Sequence, residues 1–152
     1  MTNKLFNSEF ENSLRILLLL TEFNCGQSLD KIYALDFMVS YGATFGVSKT
    51  NLNGDNQYKF SEFASRREIV RLALKQLVLD GLVLPVNSVD GILYAITDAG
   101  HKYSDTLESE YAEEYRSTAR KIIEIVSNEP ERTIIDRINK MSAESLRKGA
   151  RV

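Results

Sequence analysis

Apolar residues recur at helical spacing over most of the chain. In the first such stretch, Leu14, Leu17, Leu18 and Thr21 form one stripe, and Ile16, Leu19, Leu20 and Phe23 form a second. A helix apolar on so much of its circumference belongs at the centre of a core. Ser8 and Glu11 stand as a Ser-x-x-Glu capping box at its start, and Cys25-Gly26 is read as its end. Ser28 is placed to cap a second helix, with Asp30 in the first turn where the helix dipole favours it. Leu29, Ile32, Leu35 and Val39 mark its buried face, Tyr33, Phe37, Met38 and Tyr41 add bulk elsewhere, and Gly42 is placed to end it.

Periodicity is then lost from Ala43 to Phe60, a stretch holding Gly46, Asn51, Asn53, Gly54, Asp55 and Asn56, which reads as a long loop. A third helix is predicted from the capping box Ser65–Glu68, with Ser61 as an alternative cap and Phe63 then starting the helix earlier. Ile69, Val70, Ala73, Leu74 and Leu77 are expected to face inward, and Gly81 sits where a left-handed C-cap is needed. Leu82 to Val86 reads as a strand whose far end Pro85 demotes to an edge, Asp90-Gly91 as a hairpin turn, and Ile92 to Ile96 as the returning strand. Thr97-Asp98 caps a fourth helix. Along it Tyr103, Leu107, Tyr111 and Tyr115 fall every four residues, followed by Ala119, Ile122 and Val126, with a break expected near Ser109. Asn128 and Glu131 cap a last helix with Pro130 in its first turn and Ile134, Ile135, Ile138 and Met141 on one side.

Three helices followed by a short hairpin is the order of a winged helix. Leu77 to Val83 resembles a recognition helix turning into the wing, and Ala95 to Gly100 resembles the wing returning into its next helix. The expected fold is therefore mainly α with a small β-hairpin: a winged helix-turn-helix domain over residues 5–107, with the long loop at about 43–60, and a helical extension over residues 108–152.

Composition narrows the function classes. The chain has 152 residues, 43% apolar and 26% charged, enough for one real core. The longest apolar run, Ile16 to Leu20, is far too short to span a bilayer. The N-terminus is polar and mixed in charge, unlike a signal peptide, and the single cysteine, Cys25, suits a cytoplasmic chain. A net charge of −2 argues against indiscriminate coating of nucleic acid. Locally, Glu108 to Glu114 holds four acidic residues and no basic one, whereas Arg132 to Arg151 holds six basic residues against two acidic ones. Such a tail can seek an acidic partner or simply be solvated.

Catalysis has little support. His101 is the only histidine, so with Cys25 there is no zinc set of the usual kind, and nothing marks the two as a dyad. No phosphate-binding loop is present, Gly54-Asp55-Asn56 reads as a turn, and the carboxylates are scattered. No cofactor is called for. The third helix offers more. Arg67, Arg71 and Lys75 lie four apart on one face, with Arg66 at its N-terminal end, as the cations of a DNA-reading helix would. The same residues fit an acidic protein surface, or a solvated face with Glu68 as partner. Arg66 and Arg67 are expected in the first turn, where the dipole disfavours cations. The stripe Tyr103, Tyr111 and Tyr115 either packs back on the domain or docks on another chain, and the last helix, with Ile138, fits a partner's groove.

Three segments together carry a family resemblance: Leu29-Asp30-Lys31-Ile32-Tyr33-Ala34-Leu35-Asp36-Phe37, then Gly54-Asp55-Asn56-Gln57-Tyr58-Lys59-Phe60-Ser61-Glu62-Phe63, then Arg66-Arg67-Glu68. They resemble the middle component of bacterial ABC-three-component systems, over roughly Leu5 to Leu107. The resemblance implies a winged-helix adaptor in a prokaryotic conflict module directed at phage or plasmids. It also implies two protein partners: a large ATPase related to chromosome-maintenance and recombination-repair ATPases, and a separate effector. Chemistry would then reside in those chains. Double-stranded DNA and a second copy of the chain are further candidate partners, and no membrane is implied. Arg66, Arg67, Arg71 and Lys75, and the Gly54 to Phe63 segment, are the candidate contacts. The rival readings are a dimeric winged-helix transcription regulator and a small enzyme using Cys25 or His101.

Overall fold

The computed structural model describes residues 8–52 and 59–150. It is mainly helical with a small three-stranded antiparallel sheet, in the order α1 (Glu9–Leu20), β1 (Gln27–Ser28), α2 (Leu29–Ser40), α3 (Lys59–Leu79), β2 (Val83–Ser88), β3 (Gly91–Ile96), α4 (Asp98–Asp105), α5 (Glu110–Val126) and α6 (Glu131–Ala150). The sheet order is β1-β3-β2.

The first helix is central, as its all-round apolar pattern requires. Ile16, Leu17, Leu18, Leu19 and Leu20 are all buried, and α1 touches α2, α3, α4, α5 and β3. Ser8 accepts from the Glu11 amide at 3.1 Å, and Ser28 does the same for Lys31 at the start of α2. Each bond satisfies an amide that the first helical turn leaves open. The helix ends at Leu20, well before Cys25-Gly26. The chain between leads into β1, which the sequence does not announce because two residues carry no alternation. Gln27 pairs with Tyr94 and Ser28 with Leu93, so the segment between α1 and α2 joins the hairpin into one sheet.

The largest departure from the sequence reading concerns α3. It starts at Lys59, so Ser61 and Ser65 lie inside the helix and neither caps it; Ser65 Oγ instead donates to the Glu62 carbonyl. Part of the expected loop is therefore helix. Residues 43–52 are turns pinned by Asn51, whose side-chain oxygen accepts from the Ala43 amide at 2.9 Å. Residues 53–58, including Gly54 to Tyr58 of the candidate contact segment, lie outside the described residues.

The long fourth helix does break near Ser109. α4 ends at Asp105, and Ser109 accepts from the Ala112 amide to cap α5. Arg116 holds the joint by donating to the carbonyls of Leu107 and Ser104. Asn128 does not cap α6, which begins at Glu131 with the Pro130 carbonyl accepting from Ile134. The Glu131 side chain accepts from Ser28 Oγ, tying the start of α6 to the start of α2. Tyr115, Ala119, Ile122, Val126, Ile134 and Ile138 belong to the same core cluster as α1, α2 and α3.

The hairpin closes back on α3 at a crowded base. Gly81 takes the expected left-handed conformation (φ 76°), and its carbonyl accepts from Thr97 Oγ1 at 2.8 Å. A Cβ at Gly100 would overlap the Leu82 carbonyl oxygen and stand 2.6 Å from Ile96 Cγ1. Gly100→Ala is therefore expected to cost about 1–3 kcal/mol through overpacking. Urea denaturation measures this, and an unchanged midpoint would mean that α4 is not held this tightly to the hairpin base.

Candidate functional site

The four cations singled out on α3 do not share one surface. Arg66 stands four residues before Val70 and seven before Ala73, which places it on the buried face of the helix. It is 8% exposed. Its Nη1 donates to Asp36 Oδ2 at 2.9 Å and to Ser40 Oγ at 3.1 Å, and its guanidinium lies against the rings of Phe37 and Tyr41. Nor does it or Arg67 occupy the first turn; both lie about two turns in, so the dipole penalty does not apply. Arg67 is outside and pairs with Asp30 across to α2 at 2.7 Å. Arg71 is outside and held by Glu68 through two hydrogen bonds. Lys75 is exposed and lies on the wall of a cleft.

Arg66 is one arm of a buried polar cluster that joins four helices. Asp36 of α2 is fully buried. Its carboxylate receives Arg15 Nε at 3.2 Å and Nη2 at 3.3 Å from α1, Arg66 from α3, and the Tyr115 hydroxyl at 2.8 Å from α5. Burial alone would raise the Asp36 pKa, but the two guanidinium charges and the hydrogen bonds from Arg15 and Tyr115 hold it below the usual carboxylate range. Burial and the neighbouring carboxylate push the Tyr115 hydroxyl well up, so it stays a donor. The tyrosine stripe is thus split. Tyr115 is a core residue, Tyr111 is half-buried, and Tyr103 is exposed on α4 beyond the helix break. Ile138 is likewise fully buried, so the apolar side of α6 is spent on its own chain.

The sequence reading missed an apolar cleft. It has a volume of about 950 Å³ and is walled by Phe10 and Leu14 of α1, Ile69, Leu72 and Leu79 of α3, and Tyr103 of α4. Ile69, expected in the core, is 41% exposed, and Leu79 is 71% exposed. The signal was present: Ile69, Leu72 and Leu79 make a second apolar stripe on α3, separate from Val70, Leu74 and Leu77. The hairpin adds exposed Leu84, Val86, Val89 and Ile92. Residues 76–100 contain three aspartates, Asp80, Asp90 and Asp98, and no lysine or arginine. His101 and Cys25 are both exposed, and among the described residues no group of three His, Cys, Asp or Glu side chains is placed to hold a metal ion. No helix among the described residues is long and apolar enough to cross a membrane.

The cluster has measurable consequences. Asp36→Asn is expected to cost about 3–5 kcal/mol, because it leaves two buried guanidiniums facing a neutral amide. Tyr115→Phe removes a single bond to a charged acceptor and costs about 1.5–3 kcal/mol. The folded Asp36 pKa is depressed, so its contribution is complete above the unfolded value of about 3.9 and is lost as pH falls through the folded value. Asp36→Asn should therefore flatten the acid limb of the stability curve. Arg67→Ala, which breaks only an exposed pair, should cost under about 1 kcal/mol. Equal losses for Arg66→Ala and Arg67→Ala in denaturant titrations would contradict this division of the two residues.

No curated protein and no solved structure matches the chain. Residues 5–148, spanning the helices and hairpin of the N-terminal part as well as α5 and α6, match the family described as ABC-three component (ABC-3C) system Middle Component 2. The match covers nearly the whole chain, and the protein belongs to that family of middle components of multi-component systems.

Proposed function

We propose that the protein is a non-catalytic winged-helix adaptor that joins the large ATPase and the effector of its system through protein contacts. The element order α1-β1-α2-α3-β2-β3, with β1 paired to the returning strand of the hairpin, supports the winged-helix reading. In this reading residues 5–107 form the winged-helix domain, and residues 108–152 form a helical extension folded back on it. The setting is a cytoplasmic antiphage module.

The observation that carries the adaptor reading is the state of the surface a DNA-binding winged helix would use. Arg66 is inside, Arg67 and Arg71 are engaged by carboxylates of their own chain, and the hairpin carries apolar side chains and no cation. Affinity for duplex DNA comes chiefly from cations that neutralise phosphates. A wing without them, and a third helix whose arginines are already paired, favours protein over DNA. Of the residues singled out in the sequence, Arg67, Arg71, Lys75 and Tyr103 stay exposed, and the adaptor reading does not rest on the three cations.

Co-expression with the ATPase and effector of the same system, followed by affinity capture with and without nuclease, tests the reading. Retention of the ATPase should survive nuclease treatment. The triple variant Arg67→Ala, Arg71→Ala, Lys75→Ala should leave it unchanged. Duplex DNA alone should bind no more tightly than about 10⁻⁶ M at physiological salt. A nanomolar, palindrome-specific complex lost in the triple variant would establish the transcription-regulator reading instead.

A further inference from the structure

We infer that the cleft between α1, α3 and α4, together with the outer face of the hairpin, is a docking groove for a basic amphipathic helix of a partner protein. The proposal rests on the adaptor reading and names the chemistry of the contact.

Leu82 lines the cleft and Val83 is buried in the core. Leu82 leads directly into β2, where alternation puts Leu84 and Val86 on the face opposite the buried Val83, both exposed. Along α3 alone, Ile69 to Leu79 spans about 15 Å at the helical rise, room for about three turns of an apposed helix. A volume of about 950 Å³ takes several large side chains, as an apolar stripe at i, i+3, i+4 and i+7 would supply.

Charge selects the occupant. Glu9 and Asp80 stand on the cleft wall; farther out, Asp98 and Lys102 lie on α4 and Asp90 at the hairpin turn. Among the described residues, Lys75 is the one basic residue on the wall. A helix with lysine or arginine flanking its apolar stripe meets this rim favourably, whereas an acidic one is repelled. A second copy is a poor match. Two-fold apposition would set one net-acidic wall against another, and among the described residues the outer turns of α6 offer one exposed large apolar side chain, Leu146.

The test uses a fluorescent model peptide of about 18 residues with leucine on one helical face and lysine on the other, and a second in which glutamate replaces lysine. Anisotropy with the full chain should show the lysine peptide binding and the glutamate peptide about tenfold weaker or more. Leu72→Glu and Leu79→Glu should each weaken the lysine peptide by a similar factor. Ile125→Glu, at an exposed apolar residue of α5 outside the cleft, should leave it unchanged. Equal binding of both peptides, no binding, or equal loss in the Ile125 variant overturns the groove. So does a concentration-dependent dimer by light scattering that Leu79→Glu dissolves, since the occupant is then a second copy. Markedly tighter peptide binding on deleting residues 1–7 would make the groove a seat for the chain's own start, and also overturns it. In the co-expressed complex, assembly that survives Leu72→Glu and Leu79→Glu removes the groove and keeps the adaptor; failure of the unsubstituted chain to assemble removes the adaptor, with the peptide result standing separately.

Discussion

A carboxylate sealed from water must collect enough donors to replace the solvent it has lost, and Asp36 sets that demand at the middle of this fold. Its two oxygens are met by Arg15, Arg66 and Tyr115, brought from α1, α3 and α5. Apolar packing alone tolerates small slides of one helix on another, because contact between hydrocarbon surfaces has little direction. Hydrogen bonds to a charged, buried acceptor do not. Asp36 therefore fixes the register of four helices, and the aromatic rings of Phe37, Tyr41 and Phe63 pack around that fixed point.

Seen from this centre, α3 has three faces with separate duties. Phe63, Arg66, Val70, Leu74 and Leu77 go to the core and to Asp36. Arg67 and Arg71 lie on a second face, tied to Asp30 and Glu68. Ile69, Leu72 and Leu79 form the third, open to the cleft. A helix with two apolar faces reads poorly as amphipathic, because the opposed stripes cancel. That is why the sequence reading assigned Ile69 to the core and saw a single cationic face.

Much of the framework was legible because it depends on local chemistry. The caps at Ser8, Ser28 and Thr97, the all-round apolar α1, the left-handed Gly81 and the hairpin all follow from residue type and spacing. The elements that escaped depend on distant partners. β1 exists because β3 offers it a ladder. α3 begins six residues before its apparent capping box at Ser65, since Phe63 and Arg66 have places to fill in the core. Arg66 looks like surface chemistry until Asp36 is placed beside it, with only its spacing to Val70 and Ala73 hinting otherwise, and Asp36 decides for Tyr115 between packing inward and docking outward. The mainly α fold with a small sheet and the family itself were readable; the stripe of Ile69, Leu72 and Leu79 was readable too, but not the cleft it lines, which arises between three helices.

The bond from Tyr115 to Asp36 joins residues far apart in the order of synthesis. A nascent chain that has emerged only as far as α4 holds Asp36, Arg15 and Arg66 but not the hydroxyl that completes them, nor the α5 face that covers α1 and α2. Closure of the core waits for α5 to leave the ribosome. The segment carrying α5 and α6 is made after the helices it covers, and it is the segment that seals them.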